Sequence, residues 1–387
     1  MLIGIIGAPN KGKSTLFSAI TLSDVHIADY PFTTIDPNSG VSYVTTRCPH
    51  MDLGVKCNPR NLYCKNGRRA VPVNVVDVAG LVEGAHEGKG MGNKFLNDLS
   101  SANGFIIVVD ASGKTDKNGN KCAGSNPKED LDLVKDELVE WFSDIIRRHW
   151  KKIYTSESLS QELFKVLTGM GIERGAVDKA ISVSGVRKER EPDSESMKRL
   201  AWSILRESKP IIVCANKMDD PAAPLLFERL KRDSEFVCVP CSAAIELALR
   251  KADSTGLIDY DVEECTFKMM KEPDESQKAA LSYMESILKS GRSDVQRMLN
   301  ELVFGLLGRI VVYPVEDENK YTDHYGNVLP DAILVRKGST AQELAEAIHT
   351  DLAKGMLYAV DARTKRRVGK DYILKEGDVI RIVSAIR

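Results

Sequence analysis

Residues 7–14 read Gly-Ala-Pro-Asn-Lys-Gly-Lys-Ser, which matches the phosphate-binding pattern G-x-x-x-x-G-K-[ST]. The stretch follows an apolar strand pattern at Leu2–Ile6 and precedes a helical pattern that contains Leu16, Phe17 and Ile20. Glycines let backbone N–H groups turn inward around phosphate oxygens, and the positive end of the following helix points at the same place. The stretch therefore predicts a strand, a phosphate-binding loop and a helix at the start of an α/β fold.

Individual residues of this loop have expected roles in holding a nucleotide. Lys13 is predicted to reach the β- and γ-phosphates and to act in catalysis, and Ser14 is predicted to bind Mg²⁺. The residues predicted to contact the nucleotide here are Gly7, Ala8, Pro9, Asn10, Lys11, Gly12, Lys13, Ser14 and Thr15.

Short apolar strands alternate with helical patterns over most of the chain. This alternation predicts a parallel sheet covered by helices on both faces, with ligands at the carboxyl ends of the strands. The predicted strands are Leu2–Ile6, 71–76, 105–109, 210–215 and 236–239.

A magnesium aspartate is predicted where the strand at 71–76 ends, in the sequence Asp77-Val78-Ala79-Gly80. Asp77 is expected to act on Mg²⁺ through water, and the Gly80 amide is expected to sense the γ-phosphate. A threonine between the phosphate loop and Asp77 is predicted to complete the magnesium shell when the γ-phosphate is present. Thr33 is the first choice, and Thr34 is the alternative.

A base-reading motif, Asn216-Lys217-Met218-Asp219, follows the predicted strand at 210–215. Asp219 can accept hydrogen bonds from guanine N1–H and the 2-amino group, whereas adenine offers neither donor and would leave a buried carboxylate unpaired. Lys217 is expected to lie along the base, and Asn216 to hold the loop and guanine N7. A backbone N–H in Ser242-Ala243-Ala244, after the next strand, is expected to meet guanine O6.

Three regions are expected from the patterns along the chain. Residues 1–125 and 208–300 are predicted to form the nucleotide-binding domain, and residues 126–207 an inserted helical domain. The insertion carries an apolar stripe, although an ordinary long crossover helix is the alternative. Residues 308–387 are predicted to form a small domain of strands and one helix, which Thr340 and Glu343 open with a capping box. The stripe consists of Leu131, Val134, Leu138, Trp141 and Ile145.

Four stretches of the chain resemble the Obg-like, YchF-type branch of translation-factor GTPases. They are GAPNKGKST (7–15), ADYPFTTIDPNSG (28–40), DVAGLVEGAHEGKGMGNKFL (77–96) and NKMD (216–219). The C-terminal stretch resembles a TGS domain, which is a ubiquitin-like β-grasp module. The resemblance implies an α/β fold in which a doubly wound P-loop GTPase domain with a helical insertion precedes a β-grasp domain. It also implies a regulatory GTPase cycle and association with a ribosome or RNA.

The base-reading motif differs from the pattern that YchF proteins carry. YchF proteins carry a different motif and use ATP, whereas Asn216-Lys217-Met218-Asp219 predicts GTP as the nucleotide here. Two alternatives stay open, namely an ATPase of the YchF kind and an RNA-binding adaptor that holds nucleotide with little turnover.

Leu81 stands where Ras-like GTPases place the glutamine that orients the attacking water, so we expect slow intrinsic hydrolysis. Asn10 could help to hold a K⁺ that stabilises transition-state charge, or it could merely suit the turn. His86 could orient water as a catalytic residue, or it could be a solvated loop histidine. A partner acting in trans is the third possibility.

Cys48, His50, Cys57 and Cys64 fall between the two predicted switch segments. Four soft ligands within seventeen residues could form a small structural Zn²⁺ site, and free thiols in a hairpin are the alternative. A basic cluster near the C-terminus could contact RNA phosphates, or it could be a solvated turn. The basic cluster consists of Arg363, Lys365, Arg366, Arg367 and Lys370.

Composition sets broad limits on these hypotheses. The formal net charge is −1, so no overall field draws the chain to nucleic acid or to a membrane. The eight cysteines lack the spacing of a small disulfide scaffold, and no signal peptide or membrane span is evident. We therefore expect a cytoplasmic protein in a reducing compartment, with Cys238 and Cys241 as buried thiols. The patterns leave the oligomeric state open.

Overall fold

The computed structural model describes residues 1–21, 38–60, 62–78, 84, 99–187 and 192–385. Within these residues the chain forms two compact units, one from residues 1–21, 38–41 and 74–298, the other from residues 42–73 and 299–385. Thr33, Thr34, Gly80, Leu81 and His86 lie outside the described residues, so the roles predicted for them stay predictions.

A mostly parallel sheet carries the nucleotide-binding motifs. Its strands lie in the order β2-β4-β1-β5-β6-β7, and β1 pairs in parallel with both β4 and β5. All five predicted strands are confirmed, with β4 longer than expected at its start. The strands are β1 (Leu2–Ile6), β2 (Ser39–Arg47), β3 (Cys64–Lys65), β4 (Arg68–Asp77), β5 (Gly104–Asp110), β6 (Ile211–Asn216) and β7 (Val237–Pro240), with β3 paired to β4.

The first helix of the nucleotide-binding fold follows from strong local signals. Helix α1 (Lys13–Thr21) begins inside the phosphate loop and buries Leu16 and Ile20, as the sequence predicts. A short helix α2 (His50–Leu53) belongs to the second unit.

Among the described residues, four α-helices and a short 3-10 helix (Thr168–Met170) occupy the stretch between β5 and β6. Helix α3 (Pro127–Thr155) starts at the cap Asn126, whose side chain accepts a hydrogen bond from the Lys128 N–H. Four residues of the predicted stripe on α3 are buried in the same apolar cluster as residues of β5, and the fifth, Ile145, is partly buried and packs against that cluster. The other three helices are α4 (Leu159–Leu167), α5 (Arg174–Ser184) and α6 (Ser194–Ser208). The boundaries proposed for an inserted domain stay a prediction.

The end of the first unit contains elements that sequence patterns did not indicate. A hairpin of β8 (Ile258–Asp261) and β9 (Thr266–Met269) packs its apolar side chains with those of two helices. The helices of this stretch are α7 (Ala223–Asp233), α8 (Ala243–Ser254), α9 (Glu275–Lys289) and α10 (Val295–Asn300). From Leu299 on, the end of α10 and the π-helical segment that continues it at Glu301–Leu306 belong to the second unit.

The second unit contains a five-stranded sheet in the order β11-β10-β14-β12-β13. Strands β10 and β14 are parallel, and the other pairs are antiparallel, which gives the β-grasp arrangement. The capping box of Thr340 and Glu343 is confirmed at the start of its helix. The elements are β10 (Arg309–Pro314), β11 (Ile333–Arg336), α11 (Ala341–Ile348), α12 (Thr350–Gly355), β12 (Met356–Asp361), β13 (Arg366–Val368) and β14 (Val379–Ser384).

No helix within the described residues is both long and apolar enough to cross a lipid bilayer.

Candidate nucleotide site

The two glycines of the phosphate loop are required by close packing. Gly7 and Gly12 have φ angles of +154° and +93°, which residues other than glycine rarely adopt. A Cβ on Gly7 would lie 2.5 Å from the Val108 carbonyl oxygen, and one on Gly12 would lie 2.2 Å from Asn216 Nδ2. The loop is therefore held against the ends of β5 and β6.

Lys13 is buried at the start of α1, and its Nζ donates to the Ala8 carbonyl oxygen at 2.9 Å. Burial lowers the pKa of Lys13, although the Asp77 carboxylate acts in the opposite direction. The ammonium group thus lies at the loop that the sequence assigns to phosphates, in a place where an anion would be stabilising.

Lys11 has a different role from the one its place in the loop suggests. Its side chain is fully buried and forms an ion pair with Asp130 at 2.8 Å, with further hydrogen bonds to Thr115 and Asp116. Burial raises the pKa of Asp130 to about 6, although Lys11 favours the charged form. The side chain of Lys11 therefore fixes the loop from behind, and its backbone is the part left for phosphate contact.

The geometry around Asp77 fits a hydrated divalent cation. The Ser14 hydroxyl donates to Asp77 Oδ2 at 2.8 Å, which brings the two predicted magnesium residues together. Asp77 Oδ1 is buried and has no hydrogen-bond partner among the described residues. Burial raises the pKa of Asp77, although Ser14 and Lys13 partly offset that effect. Oxygen donors of this kind are the ligands that Mg²⁺ prefers.

Asn216 joins the phosphate side of the site to the base side. The side chain is buried, and its Nδ2 donates to the Lys11 carbonyl oxygen at 2.9 Å. Its Oδ1 accepts from the Ala243 N–H at 3.0 Å. Both ends of the carboxamide are therefore used within the protein, as expected for holding the loop. Guanine N7 would have to share the Asn216 Nδ2 donor with the Lys11 carbonyl oxygen.

Lys217 extends across the phosphate loop from the end of β6. Its Nζ donates to the Asn10 carbonyl oxygen at 3.0 Å and pairs with Asp110 Oδ2 at 2.8 Å. Burial alone would raise the pKa of Asp110, but hydrogen bonds from Lys217, Ser112 and Thr115 reverse this and lower it. Asp110 therefore anchors Lys217 as a carboxylate.

A cleft of about 320 Å³ lies where the base is predicted to bind. Asp219 contributes to its wall, and the Tyr283 hydroxyl donates to the Asp219 carbonyl oxygen at 3.2 Å. The cleft is lined by Gly12, Thr15, Ser112, Lys114, Asn216, Lys217, Asp219, Asp220 and Ala244.

Several residues near this cleft were not found from the sequence. Asp220 is paired with Lys114, and Ser112 follows the carboxyl end of β5. The general position of ligands at strand ends could have indicated residues 110–114. Nothing in the local sequence indicates Tyr283, because its contact with Asp219 spans sixty-four residues.

The three residues Ser242-Ala243-Ala244 have different partners. The Ser242 hydroxyl donates to the Arg292 carbonyl oxygen, and its N–H approaches Ser293 Oγ at 3.4 Å. The Ala243 N–H is used by Asn216, whereas Ala244 lines the cleft. Ala244 is thus the member of this stretch that borders the cleft, and contact between a backbone N–H here and guanine O6 stays a prediction.

Asn10 is fixed by the loop that follows β5. Its Nδ2 donates to the Gly119 carbonyl oxygen at 2.9 Å, and its own φ angle is +60°. The side-chain oxygen is the atom that a K⁺ ion would use. A role for Asn10 in holding K⁺ stays a prediction.

Away from this cleft, within the second unit, the structure brings Cys48, His50, Cys57 and Cys64 together. All of the chain's cysteines in the described residues are free thiols. Cys241 is buried, as expected, and burial raises its pKa well above the ordinary value. Cys238 is only half-buried, which differs from the expectation, and burial raises its pKa as well, which disfavours a reactive thiolate in this pair.

Three family models match successive parts of the chain. The model of the 50S ribosome-binding GTPase family matches residues 2–141. The model of the Obg-like GTPase YGR210-like, G4 motif-containing domain matches residues 214–317, and the TGS domain model matches residues 325–384.

Whole-length relatives agree with these matches. A GTP-binding protein of Methanocaldococcus jannaschii is 46% identical over 401 residues, which cover 100% of each chain. The chain belongs to the Obg-like, YchF-type family of P-loop GTPases.

The chain is also similar to the crystal structure of a GTP binding protein from Pyrococcus horikoshii. The match covers 100% of each of the two chains, with a TM-score of 0.78 and 36% sequence identity. The ribosome-binding ATPase YchF of Haemophilus ducreyi is 27% identical over 97% of each chain. The Obg-like, YchF-type family therefore includes relatives named for each nucleotide, and the resemblance drawn from the four sequence stretches is confirmed.

Proposed function

We propose that this Obg-like protein binds GTP with Mg²⁺ and hydrolyses it to GDP and phosphate as a regulatory switch. The observation that carries the proposal is the placement of Asp219 in the wall of a cleft that Asn216 ties to the phosphate loop. A carboxylate at this place pairs with the two donors of guanine and would lack partners beside adenine.

Some of the described residues would contribute charge to the nucleotide site, and others would position its loops. Lys13 contributes a buried cation to the phosphate loop, and Ser14 and Asp77 would hold Mg²⁺, which supplies electrostatic stabilisation of the phosphates when bound. Lys217, anchored by Asp110, positions the loop from the base side. Thr33, Thr34, Gly80 and His86 belong to the proposal on sequence grounds alone.

Steady-state hydrolysis of GTP and of ATP, each in KCl and in NaCl at equal ionic strength, tests the proposal. GTP turnover that rises in KCl supports both Asp219 as base reader and Asn10 as a K⁺ ligand. GTP turnover that is the same in both salts removes the Asn10 hypothesis and leaves His86 or a partner. Preference for ATP overturns the guanine assignment and favours the alternative that the YchF relatives' names describe.

The adaptor alternative has its own observable. Leu81 cannot orient a water molecule, so an RNA-binding protein that holds nucleotide without turnover is a second candidate. Negligible hydrolysis of both nucleotides, in KCl and with ribosomes added, supports the adaptor and removes the GTPase switch.

We further propose that the protein acts on the ribosome or on RNA in the cytoplasm through its C-terminal domain. Arg366 and Arg367 are exposed on β13, and the Arg367 guanidinium lies 3.6 Å from the centre of the Tyr358 ring. Exposed arginines beside aromatic rings suit phosphate and base contact.

Co-sedimentation with ribosomes and filter binding of RNA across a salt series test this proposal. Arg366→Ala with Arg367→Ala should weaken binding and flatten its salt dependence, whereas Lys337→Ala, an exposed lysine of the same domain outside the cluster, should not. Equal binding by all variants would remove the basic cluster from the interface.

A further inference from the structure

We propose that Cys48, His50, Cys57 and Cys64 bind one structural Zn²⁺ ion. The four ligand atoms, three Sγ and one imidazole nitrogen, all lie within 4.8 Å of one another. Four protein ligands leave no open position for water or substrate, which is the arrangement of a structural rather than a catalytic zinc. The inference does not depend on which nucleotide the protein uses.

Three of the distances among these atoms are close to the edges of a tetrahedron around zinc. Cys48 Sγ lies 3.9 Å from Cys57 Sγ, and His50 Nδ1 lies 3.3 Å from Cys57 Sγ and 3.6 Å from Cys64 Sγ. Tetrahedral Zn²⁺ with ordinary bond lengths separates two sulfurs by about 3.8 Å and a sulfur from a nitrogen by about 3.6 Å. A disulfide would need sulfurs about 2 Å apart, and all three cysteines are free thiols.

Local structure brings the ligands in from three places along the chain. Cys48 follows β2 and its N–H donates to the Gly67 carbonyl oxygen at 2.8 Å, which ties it to the turn after Cys64. His50 opens the short helix α2, and Cys64 lies on β3. Cys57 comes from the segment between them. Free thiols in a hairpin would have no reason to converge in this way on one imidazole.

The segment from residue 54 to residue 60 has little local structure of its own. It contains neither helix nor strand, and none of its residues is buried. Nevertheless it pairs with the C-terminal domain within the same unit, because the Asn58 N–H donates to Val328 O at 3.0 Å and the Arg60 N–H donates to Pro330 O at 3.2 Å. Zinc at Cys57 would fix the middle of this segment and so hold the edge that contacts residues 327–331.

Metal analysis of the full-length protein, purified without chelators, tests the site directly. We expect about one zinc per chain in the wild type and less than about 0.1 in Cys57→Ser, because a coordination shell with one sulfur removed binds far more weakly. Cys122→Ser, which changes an exposed cysteine outside the cluster, should keep about one zinc per chain. A wild-type protein without stoichiometric zinc contradicts the proposal.

A second measurement remains informative if Cys57→Ser fails to fold. Wild-type protein stripped of metal and titrated with Co²⁺ should reach saturation at one equivalent, with the thiolate-to-cobalt charge-transfer bands of a tetrahedral sulfur-rich site. Hydrogen exchange of the Asn58 and Arg60 amides, which donate to Val328 O and Pro330 O, should speed up on metal removal and recover on Zn²⁺ addition. Absence of the charge-transfer bands, or exchange that does not respond to metal, would overturn the assignment, and nucleotide binding measured alongside keeps this result separate from the GTPase proposal.

Discussion

Asp219 presents its carboxylate to the cleft from a backbone that Tyr283 holds, so its chemistry can be changed with little disturbance of the fold. Asp219→Asn should weaken GTP binding by about 10- to 100-fold and improve xanthosine triphosphate binding, since an amide donor faces the 2-amino group of guanine but suits the 2-oxo group of xanthine. Competition against a fluorescent nucleotide measures both affinities.

Asp220→Asn provides the matched control for this exchange. Asp220 also lines the cleft, but its carboxylate is paired with Lys114 and receives the Ala222 N–H. This variant should retain the preference for GTP over xanthosine triphosphate. A similar loss in both variants would mean that general charge, and not base reading, explains the effect.

Lys209 is a second residue whose environment leads to a measurable effect. Its side chain is buried, and Nζ donates to the carbonyl oxygens of Ser100 at 2.9 Å and Ala102 at 2.5 Å. Burial lowers the pKa of Lys209 to about 8. Between pH 8 and the ordinary lysine value the folded protein binds fewer protons than the unfolded chain, so stability from this group rises with pH.

We therefore expect the free energy of unfolding of the wild type to rise by about 2 kcal/mol relative to Lys209→Met between pH 7.5 and 9.5. Urea titrations of both proteins at the two pH values give this difference, and other titrating groups cancel between them. Parallel changes with pH in the two proteins would show that Lys209 is not neutralised in this range.

At the scale of elements, the loop between β5 and α3 supports the phosphate loop from behind. Gly119 has a φ angle of +84°, and a Cβ there would lie 2.8 Å from the Pro9 carbonyl oxygen. Gly119→Ala should therefore displace the phosphate loop and weaken binding of GTP or GDP by about tenfold or more, which corresponds to about 1.4 kcal/mol. Isothermal titration calorimetry measures the change.

Gly124→Ala separates this displacement from backbone strain. Gly124 lies in the same loop with a φ angle of +76°, and a Cβ there would meet nothing within 4 Å. Both variants therefore carry the cost of a left-handed alanine, about 1 kcal/mol, but only one of them contacts the phosphate loop. Equal nucleotide affinity in the two variants would contradict the supporting role of the loop.

The elements that sequence predicted are those with strong local signals. The apolar strand at Leu2–Ile6 and the capping box at Thr340 were both found, because propensity and caps act within a few residues. The hairpin β8–β9 was missed because its strands are four residues long with few apolar positions. Strand β13 was not predicted, because its residues were interpreted only as part of a basic cluster that could contact RNA or form a solvated turn. An edge strand of three residues carries no periodicity to detect.

In the candidate site, too, the features with local sequence signals were predicted and those that depend on distant residues were not. The phosphate loop and the base-reading motif are contiguous in sequence, so their glycines and polar residues predict their places at strand ends. By contrast, the partners of Lys11 lie 104 or more residues away, and no local pattern shows that this lysine is buried and not turned toward phosphate.

At the scale of the whole molecule, the second unit is assembled from two separate stretches of chain. Arg69 lies in the first stretch and is buried, and its guanidinium donates to Leu329 O at 3.0 Å and Pro330 O at 2.8 Å in the second. Thr46 also donates to Glu376 Oε1 at 2.9 Å. The C-terminal domain is therefore not an independent appendage of the chain.

A chain that ends at Met298 should consequently be damaged in residues 42–73, since Arg69 would lose both carbonyl partners and residues 58–60 would lose their backbone pairing. We expect faster proteolytic cleavage at residues 54–60 and a lower melting temperature than in the full chain. Limited proteolysis with mass spectrometry locates the cuts, and a chain that ends at residue 385 is the control. Unchanged cleavage would contradict the shared unit.

The double use of the Asn216 carboxamide has an evolutionary consequence for this family. Asn216 maintains the junction of the phosphate loop and the loop after β7 through contacts inside the protein, whereas Asp219 faces the cleft. Mutations that change the preferred base can therefore accumulate at a few cleft-facing positions while the architecture that holds the phosphates stays intact. Such limited changes would let GTP-binding and ATP-binding relatives share one scaffold.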